Sequence, residues 1–173
     1  MWTRLTRILK HRWQSDDAAQ RAIPPALLDR LAAQVARSEA GHSGEIRIYV
    51  EAGLPLSYLW QPASTAQITR ERALALFGKL RVWDTAHNNG VLIYLLLAEH
   101  RIEIVADRGL NERVAPDTWP RLVAGMSAAF KAGNYEAGLT QAVQQVSALL
   151  QQHFALRGGQ GNPNELPDAP VLK

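Results

Sequence analysis

The stretch from Val91 to Leu97 is continuously apolar, and Ala98 extends it to eight residues. In a strand, an unbroken apolar run means burial on both faces, as at the centre of a sheet covered from both sides. The run is far shorter than the roughly 18 to 20 residues of a membrane-crossing helix. A turn at Glu99 and His100 follows, and in Arg101 to Ala106 the residues Ile102 and Ile104 alternate with Arg101 and Glu103. The two runs predict an antiparallel hairpin whose paired residue numbers sum to about 199.

The flanking segments fill in the layers. Pro24 and Pro25 open a helix striped by Leu27, Leu28, Leu31 and Val35 and stopped by Gly41. Glu45 to Glu51 alternates, with Ile46, Ile48 and Val50 opposite Glu45, Arg47, Tyr49 and Glu51, which predicts a half-buried strand near an edge. Gly53 to Pro62 reads as a packed irregular loop, and Thr65 to Leu80 as helix. Helices are also predicted from Asp117 to Lys131 and from Tyr135 to Phe154, the last striped by Leu139, Val143, Val146, Leu149, Leu150 and Phe154. Trp83 and Trp119 are expected in the core. This order predicts an α/β fold, a three-layer α/β/α sandwich with a small mixed β-sheet and helices on both faces. The crossover between the first two strands makes them parallel if adjacent. Three parts are expected: a leader over 1–20, the α/β body over 21–156, and a Gly/Pro-rich tail or strap over 157–173.

The net charge of +3 is not spread evenly. Arg4, Arg7, Lys10 and Arg12 precede any acid, and the remaining 161 residues carry 15 basic and 16 acidic side chains. A balanced body offers no basic groove, so nucleic-acid binding is not expected. In the leader, Trp2, Leu5, Leu9 and Trp13 share one side at helical spacing, with Arg4, Arg7, Lys10 and His11 on the other. Such a basic amphipathic helix suits an anionic membrane surface, which it would touch through Trp2, Arg4, Leu5, Arg7, Leu9 and Trp13. Docking on its own domain is the alternative. No cleavable signal pattern and no membrane-spanning run is seen, so the expected location is cytoplasmic, peripheral at the inner membrane if the leader binds lipid.

Three polar segments are expected to meet at one end of the sheet: Gly44-Glu45, Asp84 to Gly90, and Asp107-Arg108-Gly109 with Glu112 behind. Carboxylates and amide oxygens gathered together suit calcium or magnesium, which take oxygen ligands. The candidates are Asp84, Asn88, Asn89, Asp107 and Glu112. The plainer reading is turn chemistry, with Asn-Asn-Gly serving a positive φ and Asp107 capping the next segment. Arg108 could hold an anion, or an ion pair with Asp84 or Glu112. His87 could be a loop donor or a general base.

Other chemistries are excluded. The chain has no Cys, which removes thiolate catalysis and Cys-ligated zinc. No phosphate-binding Gly-x-x-x-x-Gly-Lys, His-Glu-x-x-His or Gly-x-Ser-x-Gly is present. Gly158-Gly159-Gln160-Gly161 follows a helix and precedes a proline, so it reads as a linker, and no nucleotide cofactor is expected.

The same segments resemble the TPM domain family. The likeness runs through His42 to Ile46, Arg72 to Phe77, Asn88 to Tyr94, Val105 to Gly109, Phe130 to Gly138 and Asn164 to Asp168. It spans roughly Pro24 to Val171. The resemblance implies an α/β/α sandwich and a site at this same end of the sheet. Calcium binding is reported for some members and acid phosphatase activity for a plant member, and many members are exported or membrane-anchored. Carried over, it points to Glu45, Asn89 and Asp107, then Asp84, as metal ligands. Where many members have Asp-Asn-Gly, this chain has Asn88-Asn89-Gly90, one carboxylate fewer and a weaker donor set.

Three functions are therefore in play. The first is an accessory or binding domain at a membrane surface or on a membrane-protein partner. The second is a divalent-metal-dependent phosphatase, with Asp107 as ligand and Arg108 stabilising charge. The third is a scaffold without a site.

Overall fold

A computed structural model describes residues 2–15, 17–156 and 162–173, with side chains from Leu5 onward. The linker expected at Gly158 to Gly161 lies outside the described residues. At the centre is a four-stranded sheet in the order β3-β2-β1-β4. Its strands are β1 (Ile46–Glu51), β2 (Val91–Leu96), β3 (Arg101–Ala106) and β4 (Val171–Leu172). β1 runs parallel to β2 and β4, and β3 is antiparallel to β2. The sheet is mixed and the α/β class holds.

Alternation along the strands builds two cores. Ile46, Ile48, Val50, Val91, Ile93, Leu95, Ile102 and Ile104 face one layer, made by α2 (Ala18–Ala22), α3 (Pro25–Glu39), α7 (Thr118–Lys131) and α8 (Tyr135–Phe154). Tyr49, Leu92, Tyr94, Leu96 and Val105 face the other, made by α1 (Trp2–Arg12), α4 (Leu56–Leu59) and α5 (Thr65–Lys79). A one-turn α6 (Arg108–Asn111) follows β3. All six residues of β2 are buried, as an unbroken apolar run requires. The α5 start is set by a capping box, in which Ser64 Oγ accepts from Gln67 N–H and Gln67 Oε1 accepts from Ser64 N–H.

Several expectations need correction. β1 is not half-buried near an edge: all six residues are buried, because the tail returns as β4 and covers that side. Its polar alternate residues are paired. Arg47 donates to the carbonyls of Pro167 and Ala169. Glu51 accepts from Arg72 Nε at 3.0 Å, Arg72 Nη2 at 2.6 Å and Tyr94 OH at 2.8 Å. The hairpin pairs Val91 with Ala106 and Leu96 with Arg101, a sum of 197. The shift comes from a four-residue connection, a 3-10 turn at Leu97–Glu99 followed by His100 in the left-handed region at φ 48°. The loop over 53–62 contains the short α4. Trp83 is exposed under Arg81 and is not a core residue, whereas Trp119 packs at the core margin.

The leader is helical, but it docks the opposite way from an ordinary amphipathic helix. Arg7 is buried, donating to the carbonyls of Leu59 at 2.6 Å, Gln61 at 2.9 Å and Ala63 at 3.0 Å. His11 is buried too. Its Nδ1 accepts from Leu54 N–H, so the ring proton sits on Nε2 and bonds Glu99. Lys10 reaches the same carboxylate at 2.8 Å. Burial alone would raise the Glu99 carboxyl, but the His11 and Lys10 bonds outweigh it and hold the group below its ordinary range. Among the apolar residues, Ile8 packs inward while Leu5, Leu9 and Trp13 stay exposed.

Candidate functional site

The parallel crossover and the hairpin bring three segments to one end of the sheet. Val91 N–H donates to Glu45 O at 2.8 Å, Asp107 N–H to Gly90 O at 2.9 Å, and Gly109 N–H to Asn88 O at 2.9 Å. The expected convergence of Glu45, Asp84 to Gly90 and Asp107 to Gly109 is present as backbone geometry. Two glycines make it close. A Cβ on Gly90 would lie 1.9 Å from Val82 O, and one on Gly109 would lie 2.6 Å from Asn88 O and 2.7 Å from His87 O. The positive φ that the Asn-Asn-Gly turn needs falls on Asn88, at 52°, while Gly90 serves close approach.

The side chains divide by what already occupies them. Asn89 is fully buried, its N–H donating to Thr85 Oγ1 and its Nδ2 to Ser43 Oγ, while Oδ1 has no hydrogen-bond donor. Asp107 caps α6, its Oδ1 accepting from Arg108 N–H at 2.7 Å, while Oδ2 is buried without a donor. Asn88 Oδ1 accepts from Arg108 Nη2 at 3.1 Å. The exposed Arg108 therefore meets an amide and not the expected Asp84 or Glu112. Asp84 is exposed beside Arg81 at 3.7 Å, and Glu112 is exposed at the end of α6. His87 is exposed.

Glu45 is turned to a different task. Its buried carboxylate accepts from Leu166 N–H at 3.1 Å and Asn162 Nδ2 at 3.3 Å, and so holds the returning tail. Burial raises its pKa above the ordinary range. Beside it, Glu39 accepts from Ile46 N–H at 2.8 Å. Burial first, then the nearby Glu45 and Asp168 carboxylates, push Glu39 up to about 8. The sequence reading missed Glu39, although it carried a signal. Glu39 continues the stripe Leu27, Leu31, Val35 at the same four-residue step, and a carboxylate on an apolar stripe demands a partner inside.

His42 links this region to the helices. Gly44 O can only accept, so His42 Nδ1 carries the proton and Nε2 accepts from Ser38 Oγ at 2.7 Å. Burial lowers its pKa.

For the leader, Leu5, Leu9 and Trp13 are free to meet a surface, whereas Arg7 is not, because its guanidinium is spent inside the fold. The side chains of Trp2 and Arg4 lie outside the described residues. Among the described residues, no three His, Cys, Asp or Glu side chains are arranged to hold a metal ion, and no helix is long and apolar enough to cross a membrane.

Comparison with known proteins agrees with this architecture. The BA42 protein of the psychrophilic bacterium Bizionia argentinensis has an NMR structure similar to this chain at TM-score 0.72. It shares 24% identity over 87% of this chain and 95% of that one. The N-terminal domain of a P. gingivalis protein is similar at TM-score 0.56 and 23% identity, over 77% of this chain and 81% of that one. At such identities these likenesses establish the fold. No curated protein matches the sequence. The family model for the TPM domain matches residues 17–149, which takes in the sheet-end segments, strands β1 to β3 and helices α2 to α7, and the chain belongs to the TPM domain family.

Proposed function

We propose that this chain is an accessory domain that binds a divalent cation weakly at the end of the sheet, through Asn89 and Asp107. One observation carries the reading. Among the described residues, the buried side-chain oxygens left without a donor are Asn89 Oδ1 and Asp107 Oδ2, on neighbouring strand ends. Folded proteins rarely leave buried acceptors unpaired, at a cost of about 1–3 kcal/mol each. A calcium or magnesium ion at this end of the sheet would give such an unpaired oxygen the partner it lacks. Glu45 and Asn88 are not in this donor set, since the tail and Arg108 engage them. Asp84 and Glu112 stand in or just beyond the same segments as exposed carboxylates. With one buried carboxylate, the expected dissociation constant is about 0.1–1 mM, the range of low-charge calcium modules.

The acid phosphatase reading has no comparable support. The unpaired atoms are acceptors, which repel a phosphate approaching alone, and the cation that bonds into the Asn88 turn, Arg108, is already engaged by the Asn88 amide.

The test is a thermal melt of the full chain with and without about 10 mM calcium or magnesium. At the proposed affinity, the ion adds about 1.4–2.7 kcal/mol, which raises Tm by about 3–10 °C in a domain of this size. Asp107→Asn should abolish the rise and keep the fold. An unmoved Tm for the unaltered chain refutes the site.

A second reading, contact with a membrane surface, is favoured by the docking of α1, which turns Arg7 and His11 inward and Leu5, Leu9 and Trp13 outward.

A further inference from the structure

The large apolar side chains exposed among the described residues are Leu5, Leu9, Trp13, Leu56, Trp60, Leu74 and Trp83. Singly exposed apolar residues are ordinary, but these do not scatter. All seven belong to one side of the sandwich: α1, α4 with its cap Trp60, α5, and the turn after α5. The four helices α2, α3, α7 and α8 on the opposite side contribute none. Gathering of this kind marks an interaction surface.

Charge follows the same division. Residues 2–14 hold four basic and no acidic side chains, and residues 56–84 hold four basic and two acidic, so these segments carry +6 in a chain of +3. The rest of the molecule is net acidic. Arg7 is buried, Lys10 is engaged by Glu99, Arg70 by Glu103, Arg72 by Glu51 and Arg81 by Asp84, while Arg12 and Lys79 remain exposed on this side of the sheet.

The anchoring of α1 explains how the face is presented. An isolated helix of 11 residues is marginal in water. Here the Arg7 guanidinium grips the carbonyls of Leu59, Gln61 and Ala63, directly flanking the exposed Trp60. The polar side of the helix is consumed as its attachment, so its apolar side is held facing out, and α1 and the α4 segment are fastened into one unit.

We infer that the whole α1/α4/α5 layer is a docking face for an anionic lipid bilayer, with Leu5, Leu9, Trp13, Leu56 and Trp60 entering the interface and the surrounding basic residues meeting lipid phosphates. This rests on the membrane reading above and goes beyond it in that the contact extends past α1 to α4 and α5. Exposed tryptophan and leucine flanked by Arg and Lys match the interfacial zone, where amphipathic rings and basic groups are both favoured. The acidic remainder of the molecule orients the layer toward a negative surface.

The experiment is co-sedimentation of the full chain with large vesicles of equimolar phosphatidylglycerol and phosphatidylcholine, or of phosphatidylcholine alone. Three variants are compared: Leu9→Ser with Trp13→Ser, Leu56→Ser with Trp60→Ser, and Gln144→Ser on the opposite side. All are first checked for an unchanged melt. Binding to the anionic vesicles should exceed binding to phosphatidylcholine about tenfold or more, and should weaken in high salt. Each double variant should lose about tenfold, and Gln144→Ser nothing. Equal binding to both vesicle types overturns the anionic assignment while membrane contact stands. An effect of the α1 pair but none of the Leu56 and Trp60 pair overturns the layer-wide face and leaves contact through α1 alone. No binding to either vesicle overturns the membrane reading itself.

Discussion

Replacing Arg7 with Met should release α1 from the body. The substitution keeps the length and most of the apolar volume of the stem and removes the donors to Leu59, Gln61 and Ala63. If the helix stayed docked, three carbonyls would lose a charged donor, at about 1–3 kcal/mol each where water cannot reach them. That cost opposes the docking of α1 directly. Other attachments of the helix include the partly buried Ile8, the His11 bonds to Leu54 and Glu99, and a Lys10–Glu99 pair worth about 0–1 kcal/mol. The helix should therefore lift off, hydrating the carbonyls, and melt once alone. A loss of about 2.8 kcal/mol in docking corresponds to about a hundredfold rise in the open population. Amide hydrogen exchange over residues 5–12 reads this directly, and trypsin cleavage at Lys10 and Arg12 gives a second measure. The body should still unfold cooperatively, because its two cores lie on the sheet. Exchange in α1 within about threefold of the unaltered chain would refute the reasoning, since it would mean that those carbonyls find water without moving the helix.

Two further outcomes follow from buried charge. Glu51→Gln breaks a buried pair and leaves the Arg72 guanidinium without its counter-ion. The expected loss is about 3–5 kcal/mol, a Tm fall of about 6–20 °C, largely recovered in Glu51→Leu with Arg72→Met; a fall below about 2 °C would contradict it. Glu39, held up at about 8 in the fold against 4.5 in the unfolded chain, binds its proton more tightly when folded. Its contribution is therefore fully present below about pH 4.5 and is lost as pH rises to about 8. Melts taken between pH 5 and 8 should show stability declining, and Glu39→Gln should flatten that decline. A decline equally steep in the variant would remove Glu39 as its source.

Periodicity carries most of the fold. The apolar run over β2 dictates a strand covered on both faces, and the stripes of α3 and α8 supply the cover for one of them. These are local patterns matched to one fixed geometry, so they survive without knowledge of the partner. The convergence of Glu45, Asn88 to Gly90 and Asp107 was legible for the same reason: strand direction and a short hairpin fix which chain ends meet.

What the tertiary structure decided is where polar side chains spend their hydrogen bonds. Glu45 holds the returning tail, Asn88 is taken by Arg108, and among the described residues only Asn89 and Asp107 keep a buried side-chain oxygen unpaired. β1 became central because two residues of a Gly/Pro-rich tail pair beside it, a contact more than a hundred positions away that no local pattern encodes. The leader makes the contrast sharpest. Its sequence determined a basic amphipathic helix, since spacing alone sets which residues share a side. Only the fold decided which side faces out, because three carbonyls at and just after the end of α4 needed a donor and Arg7 supplied it, turning leucine and tryptophan toward the surroundings.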